Sequence, residues 1–414
     1  MDGPLITNDA VNLGILMAIL AFVFVTSHSR RPGWKRFYGV VPSLLVCYFL
    51  PSVFTSLGVY DPAQSQLYFV ASRYLLPTSL VLLTLSIDLP AIMRLGPKAG
   101  IMFLAGTVGI ILGGPLAILV MSAISPETVG GAGPDAVWRG MTTVAGSWIG
   151  GGANQTAMKE VFEVGDDLFS AMIAVDVIIA NIWMAVLLFG VGRAPRIDAF
   201  LQADTSAIEH VRRRVEDYQA QVTRVPALPD TMKVLGVGFG VTGISHLLAD
   251  IIAPWLSANA PALERYSLTS SFFWLVVIAT TAGLVLSATR ARALEGVGAS
   301  RIGSALLYVL IAAVGMQMNL LAISENPGLF VVGAIWIGFH AVVLMVVAKL
   351  IRAPYFFLAV GSQANVGGAA SAPIVAAAFH PALTSVGVLL AVFGYALGTY
   401  GAWLCGQLMR LAAT

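Results

Sequence analysis

The apolar residues of this chain fall in runs close to 20 residues long, and that spacing limits the fold more than any other feature of the sequence. As a helix, such a run crosses the ~30 Å hydrocarbon core of a bilayer. Leu13–Val25 and Phe272–Leu286 contain no charged residue at all. A transmembrane β-barrel would instead alternate apolar and polar residues over short segments, so a barrel is excluded. Composition agrees: 58% of the 414 residues are hydrophobic, 11% are charged and the mean hydropathy is +0.85, whereas a soluble chain is about a quarter charged. The expected class is an all-α polytopic membrane protein. No cleavable signal peptide is expected, because Asp2 and Asp9 open the chain and the basic cluster Arg30, Arg31, Lys35 and Arg36 follows the first apolar run. That order predicts an anchored first helix with its N-terminus outside. A net charge of +2 points to no nucleic-acid partner. Cys47 and Cys405 both lie in apolar runs and support neither a disulfide framework nor a metal cluster.

Proline and glycine punctuation divides the hydropathy into twelve segments, roughly 10–27, 38–57, 66–87, 99–124, 138–163, 168–191, 232–256, 269–288, 302–323, 328–350, 354–379 and 383–409. Between the sixth and seventh, Arg193–Asp230 is the one long polar stretch. Its middle, Ala207–Val222, carries Glu209, Arg212, Arg213, Arg214, Glu216 and Asp217 at helix-compatible spacing and reads as a solvated helix. The expected division is a first transmembrane repeat over 1–192, a cytoplasmic linker over 193–230 and a second repeat over 231–414.

Lysine and arginine collect on the cytoplasmic side of membrane proteins. If all six early segments cross, the linker and every later basic cluster fall outside. If one of the six enters and leaves on the same side, 18 of the 23 Lys and Arg are cytoplasmic. The second arrangement predicts five crossings and one re-entrant element in each half. Because five is odd, the second half is inverted relative to the first. Two internal matches point the same way. Leu85–Ile92 aligns with Met316–Ile323, Asp88 opposite Asn319, and Gly146-Ser147 followed by Gly151-Gly152 aligns with Gly361-Ser362 followed by Gly367-Gly368.

The tracts Gly146–Met158 and Gly361–Pro373 put glycines and small polar residues in the middle of apolar segments. Glycine runs weaken a helix, and broken backbone at membrane depth is tolerated only inside protein or beside a wet cavity. A break also exposes helix N-termini to an anion and carbonyl groups to a cation. Close helix packing would explain the glycines, but not Asn154, Gln155, Gln363 and Asn365 at the same places. Ser147, Gly151, Gly152, Thr156, Ser362, Gly367, Gly368 and Ser371 complete the expected binding set on these tracts. Asp176, deep in the sixth segment with Asn181 five residues on, reads as the anchor for a hard cation or as a proton acceptor, with a hydrogen-bonded structural Asp between helices as the alternative. Na⁺ is therefore expected near Asp176, Asn154 and Asn365.

Asp88 and Asn319 sit at span ends, where a helix cap competes with a functional role, and Gln317 beside Asn319 reads as bundle glue or site. Arg73 reads equally as a partner for an anionic solute or as an outward-snorkelling side chain. His246 and Asp250, one turn apart, read as a structural polar pair, and His340 as a bonded bundle histidine. No P-loop, HExxH, CxxC or GxSxG is present, so neither an enzyme nor a cofactor beyond a coupling ion is expected.

The paired glycine tracts, the five crossings per half and the central linker resemble the sodium/glutamate symporters and 2-hydroxycarboxylate transporters. Across nearly the whole chain, SWIGGGANQTAM included, the sequence is similar to the YjcL-like family of uncharacterised membrane proteins. The resemblance implies two re-entrant hairpins meeting near the midplane at Gly151, Gly152, Gly367 and Gly368, with elevator-type movement and a homodimer in a bacterial inner membrane. It implies Na⁺-coupled symport of a small polar or anionic solute: an amino acid, small peptide or organic acid. The chain lacks the second intramembrane arginine of the carboxylate carriers, which counts against a di- or tricarboxylate. Segments 3–6 and 9–12 are expected to move against a scaffold of the first and seventh spans, joined by the second and eighth. A channel or exporter with a pore lined by the broken helices is the alternative.

Overall fold

Among the described residues, eight single helices satisfy the length and hydropathy of a membrane span, and ten stretches do so if each of two bent helix pairs is one span. The structure, a computed structural model, describes residues 5–38, 41, 43–87, 95–204, 227–266, 268–318, 326–380 and 383–413. In the first half the elements are α1 (Asp9–Ser27), α2 (Pro32–Tyr38), α3 (Ser43–Ser56), α4 (Leu67–Leu85), α5 (Pro97–Ile124), α6 (Val137–Val161), α7 (Asp166–Val191) and the short α8 (Ala194–Leu201). The second half holds α9 (Leu228–Asn259), α10 (Ser271–Ser287), α11 (Ala299–Gln317), α12 (Gly328–Ile351), α13 (Tyr355–Val366), α14 (Gly368–Phe379) and α15 (Thr384–Ala413). Asp88, Asn319, most of the match around them and the linker middle Ala207–Val222 lie outside the described residues.

α6 is not a through-helix. At Gly151 the backbone takes φ 74° and ψ −176°, a region open essentially to glycine alone. There the chain reverses. A Cβ on Gly146 would sit 2.5 Å from the Asn154 carbonyl oxygen, so the two limbs touch across the turn. At the far end, Arg139 Nη1 donates to Phe162 O at 2.5 Å, Gly165 N–H donates to Pro134 O at 3.0 Å, and the Trp138 and Phe162 rings meet edge-on at 5.9 Å. Start and end of the element thus lie together. α13 and α14 form a second hairpin, turning at Gly367 and Gly368, the latter at φ 58°. Gln363 Nε2 bonds Ser371 Oγ at 2.7 Å near its tip, and Phe379 packs on Tyr355 and Phe356 at its mouth (5.8 and 5.3 Å).

α7 fixes how the hairpins are oriented. Its 26 residues span about 39 Å at 1.5 Å per residue. Asp166, at its start, pairs with Lys159 at the mouth of the first hairpin (2.6 Å). Near its end, the Leu187 carbonyl accepts from Tyr355 OH at the mouth of the second (2.9 Å). The hairpins therefore enter from opposite ends of the molecule, and their tips meet between.

The remaining packing repeats with the halves exchanged. α1 lies on α3 and α11 as α9 lies on α10 and α4; α3 pairs with α11 as α10 pairs with α4. These six form one block. The other holds α5, α7, α12, α15 and both hairpins. The third and ninth segments, α4 and α11, thus pack mainly with the first, second, seventh and eighth and touch the first hairpin only in part, instead of belonging with the hairpins as expected.

One kink shows how sequence and packing cooperate. Pro77 has no N–H, so the carbonyl of Arg73, four residues earlier, loses its helical donor. The helix opens there into a π-turn over Ala71–Leu75, and His246 of α9 supplies the missing bond through Nε2 at 2.8 Å. A carbonyl only accepts, so Nε2 carries the proton. His246 is spent on this repair, and Asp250 stands exposed.

Candidate solute and ion site

A cavity of about 330 Å³ lies where the two tips meet. Ser147, Gly151 and Gly152 of the first hairpin face Gln363, Gly367 and Ser371 of the second across it, and α7 contributes Asp176 and Asn181. The wall continues through Tyr38 and Ser43, next to the Arg30–Arg36 cluster, and Tyr308. The cavity therefore extends toward the basic end of the molecule.

Asp176 is 4% exposed. Its Oδ2 accepts from Ser147 Oγ at 2.7 Å and from Gln155 Nε2 at 2.9 Å. Gln155 is held in turn by Tyr48, whose OH donates to Oε1 at 3.3 Å. Both bonds fall on Oδ2, and the Trp148 Nε1–H, buried and without another partner, stands beside the same carboxylate. Two acceptors are open. Asn181 spends its Nδ2 on the Val177 carbonyl (2.7 Å), and Gln363, 1% exposed, has Oε1 buried with no partner. Among the described residues, the lining holds one carboxylate and no Lys, Arg or His.

Other expected residues serve the hairpins and not the wall. Asn154 Nδ2 donates to Gly150 O and, on α15, to Tyr395 O, both at 3.0 Å, while Thr399 Oγ1 donates to its Oδ1 at 2.7 Å. Asn365 repeats the pattern against α5: Nδ2 donates to Gly361 O and Phe103 O at 2.9 Å, and Thr107 Oγ1 donates to Oδ1 at 2.8 Å. Each clamp joins a carbonyl four residues back to a carbonyl and a threonine, one turn apart, on a neighbouring helix. Both asparagines expected beside Na⁺ are thereby taken up in tying limbs to through-helices. Thr156 bonds Gly152 O within its own limb (3.1 Å). Ser362 sits in a chain in which Trp183 Nε1 donates to Ser362 Oγ (2.8 Å), the Ser362 hydroxyl donates to His340 Nε2 (2.8 Å) and His340 Nδ1 donates to Gly106 O (3.0 Å). Gly368 adjoins the wall, and Gln317, the last residue of α11, is away from it.

Arg73 finds its anion within the chain. Its guanidinium pairs with Glu160 at 2.9 Å and lies 4.3 Å above the Phe272 ring. Tyr68 OH donates to Glu160, and Lys159 reaches Tyr68 OH at 3.1 Å as well as Asp166. This cluster sits at the mouth of the first hairpin and joins α4 of one block to α6 of the other, on the face away from the basic loops. Sequence reasoning passed over it. The adjacent Lys159-Glu160 at the end of a glycine-rich apolar tract was the available signal.

Fold and site together define an all-helical, multi-pass membrane protein with two opposed re-entrant hairpins around a central polar cavity. Residues 14–412 match the family described as Protein of unknown function (DUF819), and the chain belongs to it. It is 24% identical over 361 residues to the uncharacterized membrane protein YjcL of Bacillus subtilis (strain 168), covering 84% of this chain and 85% of that protein.

Proposed function

We propose that this protein is a secondary active transporter of the bacterial inner membrane, carrying a small polar solute in symport with Na⁺. The observation behind this reading is the convergence of two opposed hairpin tips on one cavity containing a buried carboxylate. Each tip offers the carbonyl end of one limb and the N–H end of the next. Na⁺ takes the Asp176 carboxylate together with carbonyls at the end of the limb 137–150, an all-oxygen set suited to a hard cation. The block bearing the hairpins moves against the six-helix block, elevator fashion, and exposes the tips to either side in turn. The chain acts as a homodimer, with the N-terminus outside and the linker 193–230 cytoplasmic between the inverted repeats 1–192 and 231–414.

Reconstituted protein tests this reading. A carrier saturates and supports counterflow, and an imposed Na⁺ gradient accelerates uptake. The protein alone should gain thermal stability in Na⁺ relative to K⁺, and Asp176→Asn should abolish that gain. Non-saturating flux without counterflow would favour a pore lined by the broken helices, and a gain that survives Asp176→Asn would remove Na⁺ from this site.

A further inference from the structure

We propose that the solute carries no net charge and that it enters with a hydrogen-bond-donating head, an ammonium or amide N–H, directed at Gln363 Oε1 and Asn181 Oδ1. This rests on the reading of the cavity as the solute site and narrows it to a charge class.

The argument is a charge count in a poorly solvated place. Net charge in such a cavity is costly unless a partner balances it. Among the described residues the wall bears one formal charge, Asp176, and no cationic side chain. One Na⁺ neutralises that carboxylate. Nothing remains among the described wall residues to balance a further charge of either sign, so a dicarboxylate and a diamine are both excluded, each by two uncompensated units, and a monovalent ion by one. A zwitterion or an uncharged amide is not.

The polar groups then set the direction of approach. Asn181 is orientated by its bond to the Val177 carbonyl, which can only accept, so its oxygen is the free end. Gln363 spends Nε2 on Ser371 Oγ and presents an oxygen that is buried without a partner. A buried acceptor left unmet is costly, and Gln363 and Asn181 line the same cavity. They call for a donor. At the tips, the limb 152–161 and α14 begin beside the cavity with first-turn N–H groups that have no intrahelical partner. These face the acceptor end of the same solute. Donor at one end, acceptor at the other and zero in sum is the pattern of a neutral amino acid. The cavity volume, at the low end of the ~300–1,000 Å³ usual for ligand sites, suits a molecule of that size.

Full-length protein in detergent with saturating Na⁺ is titrated with L-alanine, L-glutamine, succinate and putrescine, and the melting temperature is followed. L-Alanine or L-glutamine should raise it, and succinate and putrescine should leave it unchanged. Gln363→Leu should weaken the amino acid by about tenfold or more, the loss of one hydrogen bond to a charged group, while keeping the Na⁺ response. Gln363→Glu, close to isosteric, adds a second carboxylate, so L-lysine, with one net positive charge, should now bind and the neutral amino acid should not. Stabilisation of the native protein by succinate or putrescine would overturn the proposal. So would an amino-acid response that survives Gln363→Leu unchanged, or the absence of a response to both amino acids. In each of these cases an intact Na⁺ response and counterflow leave the transporter reading standing, whereas their loss would end that reading independently of the solute panel.

Discussion

The ion pair between Arg73 and Glu160 bridges the two blocks at the face opposite the cavity mouth, and breaking it should favour the conformation in which that face opens. Exposed pairs contribute about 0–1 kcal/mol and breaking a buried one costs about 3–5 kcal/mol. Arg73 is 31% and Glu160 13% exposed, which places Glu160→Gln near the lower of these ranges, at about 1.5 kcal/mol after solvent screening. Glutamine keeps an acceptor for Tyr68 OH, so the loss isolates the charge pair. A shift of that size raises the open population about tenfold. The reporter is Thr156→Cys, at a fully buried position on the limb between tip and mouth, in a background with Cys47→Ser and Cys405→Ser. A membrane-impermeant maleimide added from the side away from the linker should label it about tenfold faster in Glu160→Gln. Glu163→Gln removes a nearby exposed carboxylate and should change nothing. Equal labelling rates in Glu160→Gln and its parent would refute the claim that this cluster holds the face shut.

Gly151→Ala places a side chain at φ 74° and ψ −176° and should cost about 1–3 kcal/mol, read as a lower melting temperature, with Gly14→Ala, where an added Cβ meets nothing within 4 Å, as the silent control. Asn365→Ala removes the three side-chain bonds of the clamp, while the Gly361 and Phe103 carbonyls keep their helical donors and Thr107 Oγ1 keeps Phe103 O; it should cost about 1–3 kcal/mol in all, so a stability equal to wild type would contradict the clamp. His246→Ala should destabilise by about 1–3 kcal/mol through the orphaned Arg73 carbonyl, and adding Pro77→Ala should recover part of the loss by restoring the helical donor.

The hairpins were legible because two independent constraints met on the same residues. The arginine count required one non-crossing element per half, and Gly146–Met158 and Gly361–Pro373 were the stretches that could not remain straight helices. Asp176 was legible for a similar reason, since a carboxylate deep in an apolar segment needs a polar cavity or a partner. The facing of each limb was not. Asn154 lies three residues after its turn and Asn365 two before its own, and only the positions of α15 and α5 decide that both amides point at helices and away from the cavity. Hydropathy measures immersion, not neighbours, so it could not assign α4 and α11 to the six-helix block. Arg73 and Glu160 lie 87 positions apart in sequence, and nothing local in either segment announces the other.

The two asparagine clamps also carry an order of assembly. Asn365 closes on Phe103 and Thr107, which leave the ribosome more than two hundred residues before it, so its dock is in the membrane when the second hairpin arrives. Asn154 closes on Tyr395 and Thr399, in a helix made after every other element described. Throughout synthesis of the second half, the first hairpin waits with the Asn154 amide bonded only to Gly150 O of its own limb, and α15 acts as the bolt that completes it. A nascent chain stalled before residue 384 should therefore expose the first hairpin to protease, while release of the full chain should protect it.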